Sequence, residues 1–504
     1  MRRAVPAAAA ACLLIVPTAL AFFSGGYFGE PRLVAALVVW VFVLALAAVG
    51  PAPLPRRLPG RLALAGLVLM TVWSALSISW APLGGPATDN VERLVLYVGA
   101  LLLAVGALRA AALQRLVEPA LAAGATLVIG YGLAGRLLPG LIHLERSRSA
   151  GGRLEQPITY WNAEGALAAI GLVLCARLAG DRTRPPAVRA LAAAAVAPLG
   201  AGIYVSFSRG AIAAVVLGLI VLVAGAPSRA QLRAALIALG TGVAAAVAAA
   251  LFPGVASLSG AHTERDGAIV LALLVLIAGA AALVTVRGGE RDDPLPAMPW
   301  LRPAAAAAVG LAIVGLVVAG VGEKPTQAEL GAGASASRLT TASSNRYEYW
   351  RVGLHAFGDQ PLRGVGSGGF RVVWLKERTI PESVRDVHSL ELEMAAELGL
   401  VGLLAFALLV GGVGATGLRG LRTRPALAAG PVAALVVWFL HASIDWDWQL
   451  PAVSLPAIAL AGALIALDDV SVPATDPAAG SARAPAPPLP DQPPARTSAA
   501  DPTP

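Results

Sequence analysis

Long apolar runs alternate with short polar connections along almost the whole chain, and the length of the runs is their most informative property. A helix needs about 20 apolar residues to cross the hydrocarbon core of a bilayer, and about 14 segments approach that length: 7–23, 33–50, 62–80, 94–112, 116–138, 158–178, 190–207, 210–226, 234–252, 267–286, 303–322, 396–417, 426–441 and 450–467. In lipid every backbone polar group must be satisfied within the segment, so runs of this kind are read as helices. The pattern predicts an all-α, polytopic membrane domain over residues 1–467, with one long connection at 323–395 that carries short helices. The first run follows Arg2 and Arg3 and reads as a retained signal-anchor, although Ala19-Leu20-Ala21 also suits a signal-peptide cleavage site. Residues 468–504, rich in Pro and Ala and without hydrophobic periodicity, read as a disordered tail.

Composition agrees with this division. Of 504 residues, 57% are hydrophobic and only 13% charged, where soluble domains carry roughly 25% charged residues. An ordinary soluble enzyme is excluded. The formal net charge is +8, but the basic residues sit in short loops rather than on one soluble face, which argues against a nucleic-acid partner. Cys12 and Cys175 both lie inside apolar runs, away from polar residues that could complete a zinc site or a redox pair.

The placement of charge orients the chain. Counting Arg2 and Arg3, one alternate set of short loops holds about 19 basic residues and the other about eight, a positive-inside bias. The first set includes Arg56 and Arg57, Arg109 and Arg115, Arg182 and Arg184, and Arg419 to Arg424. Both termini are therefore expected in the cytoplasm, in a multi-pass protein of the cytoplasmic (inner) membrane. The 323–395 connection then falls on the extracytoplasmic side, and long ordered connections are usually functional.

Outer-side charges are the ones that this rule does not explain. Arg209 lies between two apolar runs in Ser208-Arg209-Gly210, at or just below the membrane surface. It calls for an anionic partner, or else it snorkels to water. In the long connection, Asn345-Arg346-Tyr347-Glu348 reads as a helix start, with Asn345 as N-cap and Glu348 completing a capping box. Trp350, Leu354 and Phe357 follow as an apolar stripe suited to the membrane surface. Arg346 shares that stripe, and Arg351 lines a neighbouring one. Guanidinium groups so placed suit a lipid phosphate, which arginine grips through paired hydrogen bonds; a solvated or capping arginine is the plainer reading.

Asp359-Gln360-Pro361 ends that helix, and Gly364-Val365-Gly366-Ser367-Gly368-Gly369-Phe370 reads as a tight turn rather than a nucleotide fingerprint. His388-Ser389-Leu390-Glu391-Leu392-Glu393 then supplies a candidate general base, with Glu391 or Glu393 to orient it; a structural histidine is the alternative. His441 and Asp445, spaced i and i+4, form a second such pair at the next outer loop. Asp445 and Asp447 make only a weak divalent-ion pair, so no metal and no cofactor is expected. Trp161 and Asn162 open a span from its outer end and serve either as interface anchors or as a sugar contact, by stacking and hydrogen bonding.

Four of these motifs, in this order around one long outer connection, resemble the O-antigen ligase and polymerase superfamily of membrane glycosyltransferases. They are Ser208-Arg209-Gly210, Asn345-Arg346-Tyr347-Glu348-Tyr349-Trp350, Pro361-Leu362-Arg363-Gly364-Val365-Gly366, and His388-Ser389-Leu390-Glu391-Leu392-Glu393 leading to Glu397-Leu398-Gly399-Leu400-Val401-Gly402. The likeness covers a core at 200–410. It implies a donor glycan linked to undecaprenyl pyrophosphate, with Arg209 and Arg346, joined by Arg351, on the pyrophosphate and His388 as base towards an acceptor hydroxyl. It also implies an inverting, metal-independent transfer; the residues themselves add His441, Asp445, Trp161 and Asn162 as candidate glycan or acceptor contacts. The acceptor is a glycan, a lipid or a protein. Competing expectations are a peptidoglycan polymerase of the shape, elongation, division and sporulation class and, from another class, a polysaccharide flippase. A transporter would place its polar residues at mid-span, whereas these lie at outer ends.

Overall fold

A computed structural model describes residues 4–49, 52–288, 300–319, Ala334 and 345–470. In chain order the helices are α1 (Ala4–Ala21), α2 (Gly29–Val49), α3 (Leu58–Ser77), α4 (Gly84–Ala107), α5 (Ala111–Gln114), α6 (Val117–Leu137), α7 (Trp161–Gly180), α8 (Pro186–Ser206) and α9 (Arg209–Gly225). They continue with α10 (Arg229–Ala250), α11 (Pro253–Ala256), α12 (Thr263–Arg287), α13 (Leu301–Ala319), α14 (Arg346–Asp359), α15 (Phe370–Glu377), α16 (Leu390–Thr423), α17 (Pro425–Ala442) and α18 (Pro451–Asp469). The described residues contain no strand.

Among the described residues, twelve helices are long and apolar enough to cross a membrane. The runs at 210–226 and 303–322 also form helices, α9 and α13, but α9 is only 17 residues long. Every predicted run thus falls on a helix, and the ends differ where polar residues find partners. The run at 94–112 begins as helix at Gly84 because the added turns are held by charge: Arg32, almost wholly buried, donates to Asp89 and Glu92 at 2.8 Å each. Most of the 468–504 tail, and the part of the long connection at 323–344 apart from Ala334, lie outside the described residues.

Two spans, α7 and α18, are buried along their whole length, and the others pack around them with one face outward. Small residues set the closest approaches, as expected where lipid supplies no hydrophobic drive between helices. A Cβ on Gly66 of α3 would stand 2.4 Å from the Ala405 carbonyl oxygen of α16, and one on Gly412 of α16 would stand 2.5 Å from the Pro59 oxygen of α3.

The ends of the spans gather on two faces. On one, Asp469 accepts Arg109 at 2.9 Å and the Arg56 and Arg57 N–H groups at 2.9 and 3.2 Å. There too Arg184 donates to the Arg115 carbonyl at 2.7 Å, and Arg233 to that of Val284 at 2.7 Å. These are the loops that the positive-inside pattern groups together, so the register of spans holds. The other face carries the 443–450 loop, the 139–160 connection and helices α14 and α15.

Packing on that second face adds a buried side to α14 and corrects the expected capping box. Helix α14 buries Tyr349, Val352 and Ala356 against Phe370, Trp374, Val387 and Ala396, while Leu354 of the expected stripe stays exposed. Asn345 makes no side-chain cap; its amide donates to Glu382 at 2.9 Å. Glu348 is drawn away from the helix end by Arg351, which donates to both of its oxygens at 2.8 Å, and by Thr379. The glycine series is a turn, as expected, and its partner is the break in α16. Gly399 has φ 65° and ψ −155°, and a Cβ there would stand 2.5 Å from the Leu362 carbonyl. Across this clasp Val365 N–H donates to Ala396, Gly366 N–H to Glu397 and Leu400 N–H to Pro361, at 2.8–2.9 Å.

Candidate active site

Among the described residues five non-glycine residues have positive φ, and three of them lead into one cluster: Thr159 (68°), Phe207 (52°) and His388 (58°). Such backbone is uncommon outside glycine and persists where its surroundings over-determine it. Thr159 turns the chain into Tyr160-Trp161-Asn162 at the head of α7, and Phe207 turns it into Ser208-Arg209 at the head of α9. His388 is itself in the cluster.

The 443–450 loop joins these pieces. Asp445, wholly buried, pairs with Arg346 and accepts the Tyr160 hydroxyl at 2.7 Å, and Asn162 donates to that hydroxyl oxygen at 2.9 Å. Burial opposes ionisation of Asp445, but the charge of Arg346 foremost, helped by the Tyr160 hydrogen bond, outweighs it and holds its pKa below the usual carboxylate value. Trp446 lies against Tyr160 (4.5 Å between ring centroids), Tyr27 (5.6 Å) and His388 (6.3 Å). The Arg346 side chain keeps 23% of its exposure, whereas that of Asp445 keeps none.

His388 is set by the main chain. Its Nδ1 lies 2.9 Å from the Asp386 carbonyl oxygen. A carbonyl can only accept, so Nδ1 carries the hydrogen and the neutral ring keeps its lone pair on Nε2. Burial lowers the pKa of His388 below the ordinary 6.5, and the charge of Arg346 adds to this against the pull of Asp445. The Tyr349 ring packs on the imidazole at 4.9 Å, and Trp350 Nε1 donates to the His388 carbonyl. A neutral histidine with an unprotonated Nε2 can take a proton near pH 7.

Several expected partners are elsewhere. Glu391 accepts from Ser443 at 2.7 Å and from Ser389 at 3.2 Å instead of orienting His388, and Glu393 accepts from Gln449. Arg351 is tied to Glu348 and to the Glu377 carbonyl, away from Arg346. His441 does not pair with Asp445: α17 ends at Ala442, helical spacing stops there, and its Nδ1 meets Asp447 at 2.5 Å. Asp445 and Asp447 are thus committed to different partners, Arg346 and His441. Trp161 carries the Arg153 guanidinium 3.5 Å from its ring centroid. Arg209 opens α9 and is half-buried, next to the buried Ser208. His355, Asp359 and Glu377 bring ligand atoms within 4.8 Å of one another, but at the surface; nine residues place His355 half a turn round α14 from Arg346.

Sequence reasoning missed Tyr160, Trp446 and the Asp386 carbonyl. Tyr160 adjoins Trp161, and Trp446 lies between two noted aspartates, so both were within reach of an aromatic-cluster argument; a backbone carbonyl leaves no mark in sequence.

No curated protein matches the chain. A family model described as O-antigen ligase matches residues 234–407. The match supports a ligase- or polymerase-type glycosyltransferase function, consistent with the many apolar spans. It takes in Arg346, His388 and the Gly364–Gly399 clasp, while Arg209 and the 443–450 loop fall outside it. Over 234–407 the resemblance read from the motifs is borne out, and this region belongs to the O-antigen ligase superfamily.

Proposed function

We propose that the protein transfers or polymerises a glycan from undecaprenyl pyrophosphate onto an acceptor hydroxyl at the outer face of the cytoplasmic membrane, with both termini inside. The observation that supports this reading is that His388, with its Nδ1 held by the Asp386 carbonyl, and Arg346 belong to one cluster through Asp445 and Trp446. Nε2 takes the acceptor proton as the acceptor oxygen attacks the anomeric carbon. The bond from that carbon to the pyrophosphate oxygen breaks, and undecaprenyl pyrophosphate leaves with its electron pair. Attack from the side opposite the leaving group inverts the anomeric centre. Preorganised guanidinium groups stabilise the developing charge; Arg346 and Arg209 do so here, and Arg351 braces α14. Asp445 orients Arg346, and Tyr160, Asn162, Trp161 and Trp446 form the wall against which sugar rings stack. No step in this scheme calls on a metal.

Purified protein in proteoliposomes, given an undecaprenyl-pyrophosphate-linked oligosaccharide and candidate acceptors, is expected to release undecaprenyl pyrophosphate and form a glycosidic bond, both read by mass spectrometry. Movement of the lipid-linked glycan across the bilayer with no new bond would overturn this reading in favour of a flippase. Activity confined to a peptidoglycan precursor would favour the peptidoglycan-polymerase class.

A further inference from the structure

The 443–450 loop also reaches the second arginine, by a chain of hydrogen bonds through the protein. Asp447 Oδ2 lies 2.5 Å from His441 Nδ1, and His441 Nε2 lies 3.1 Å from Ser208 Oγ. Ser208 is the N-cap of α9: its Oγ accepts the Ala211 N–H at 3.3 Å. A neutral His441 that donates from Nδ1 to Asp447 accepts the Ser208 O–H at Nε2, and the serine lone pairs remain for the cap. All three residues are buried, with 0%, 1% and 3% of their surface exposed.

Two glycines make the chain of contacts sterically possible. A Cβ on Gly210 would stand 2.7 Å from Ile444 Cδ1 and 3.2 Å from His441 Cδ2, so a larger residue would press on both side chains where glycine lets the first turn of α9 lie against the imidazole. A Cβ on Gly165 of α7 would stand 2.8 Å from Ser208 Cβ. The tripeptide Ser208-Arg209-Gly210 thus divides its work: the serine takes the hydrogen bond, the glycine admits the histidine, and the arginine between them is carried by both. Buried hydrogen-bonded polar groups rigidify and specify a geometry even where apolar side chains would be as stable.

We propose that Asp447, His441 and Ser208 are positioning residues that fix the first turn of α9 and thereby the direction of Arg209. One loop then sets both arginines, Arg346 directly through Asp445 and Arg209 through this relay. The proposal rests on the reading that Arg209 holds the donor pyrophosphate. The same three residue types form the nucleophilic relay of many hydrolases, but here the serine oxygen is buried and committed to a helix cap.

Equilibrium binding of undecaprenyl pyrophosphate to the full-length protein in nanodiscs tests this. Ser208→Ala, His441→Gln and Asp447→Asn are each expected to weaken binding about fivefold, the size of effect that loss of a helix cap brings, and to raise KM for the lipid-linked donor more than they lower kcat. Arg209→Ala is expected to weaken binding further, and Ser208→Ala added to it to change binding by less than twofold, because the serine acts through the arginine. Where Ser208→Ala does not fold, the near-isosteric Asp447→Asn carries the test. If Arg209→Ala weakens binding and the three relay variants bind like wild type, the relay is overturned and the donor reading stands. A further independent loss on adding Ser208→Ala to Arg209→Ala, or a glycan found covalently on Ser208, also overturns it. If Arg209→Ala binds like wild type, the donor reading of Arg209 falls and the relay falls with it.

Discussion

Arginine is buried against carboxylate on both faces of the helix bundle, and the two faces use the pairing differently. On the face of the basic loops, Arg177 lies 3.4 Å from Asp181 and 3.9 Å from Glu118 and also donates to the Ala426 carbonyl, with its side chain 5% exposed. Asp468 and Asp469 likewise collect Arg57, Arg419 and Arg109 from three other segments. These contacts tie one helix end to another, with Arg177 and Arg109 enclosed and Arg57 and Arg419 partly exposed. On the second face Arg346 is held by an equally buried aspartate, and a candidate base, a group of aromatic rings and left-handed backbone stand round it. Burial of charge therefore does not mark the site. What sets the second face apart is the company of the pair, a histidine held by a main-chain carbonyl and a group of aromatic rings.

The comparison breaks most visibly at Arg346. Arg346→Ala is expected to lower transfer by at least a hundredfold, the scale on which loss of one preorganised donor to a developing charge is felt. It also strands Asp445, and an unpaired buried charge costs about 3–5 kcal/mol. Arg346→Ala with Asp445→Asn should recover stability, followed by thermal unfolding in detergent, without recovering transfer. If the pair is mere scaffold, stability and transfer will return together.

On the other face, Arg177→Ala is expected to cost a similar 3–5 kcal/mol by the same physics, while the transfer rate per folded molecule stays at the wild-type value. A loss of kcat in the folded fraction would erase the distinction between the faces.

A finer test uses pH. Burial lowers the pKa of His388 below 6.5, so the neutral, proton-accepting form persists below that pH. The rate is expected to fall as pH drops through this lowered value and to be level above it; an acid limb with its midpoint above 6.5 would contradict the assignment. The smallest effect is expected at Glu348, whose hydrogen bonds from Arg351, with those from Thr379, depress its pKa from 4.5 to about 2. A depressed carboxylate stabilises the fold above its unfolded pKa, and that contribution is lost as pH falls from about 4.5 towards 2. Because the Arg351 partner is half exposed, Glu348→Gln should cost only about 0.5–1 kcal/mol at pH 7 and leave donor binding unchanged.

Much of this was legible in the sequence, for physical reasons that also set the limits. Apolar length and the bias of arginine between loops are strong signals in lipid, which is why the runs fall on helices and the basic loops meet on one face. The start of α4 was hidden because its first turns are polar and depend on Arg32, a contact 57 residues away for Asp89. Arg209, Arg346 and His388 stood out as outer-side groups that the membrane does not explain. Their partners did not, since pairing at i and i+4 presumes an unbroken helix, and the chain turns at Ala442 before Asp445 and Asp447 are reached. The Asp386 carbonyl fixes the tautomer of His388 without any side chain. Glu348 looked like a capping residue by spacing and was claimed instead by Arg351 and Thr379.

The central claim, that His388 is the base of a glycosyl transfer on this face, is tested most directly by a single turnover. Wild type and His388→Ala are loaded with an undecaprenyl-pyrophosphate-linked oligosaccharide, mixed with acceptor, and followed for release of undecaprenyl pyrophosphate. The account predicts that His388→Ala binds the donor as wild type does, releases product 10²–10⁴-fold more slowly, as loss of a general base entails, and recovers part of the rate with added imidazole. Release from His388→Ala at the wild-type rate would contradict it.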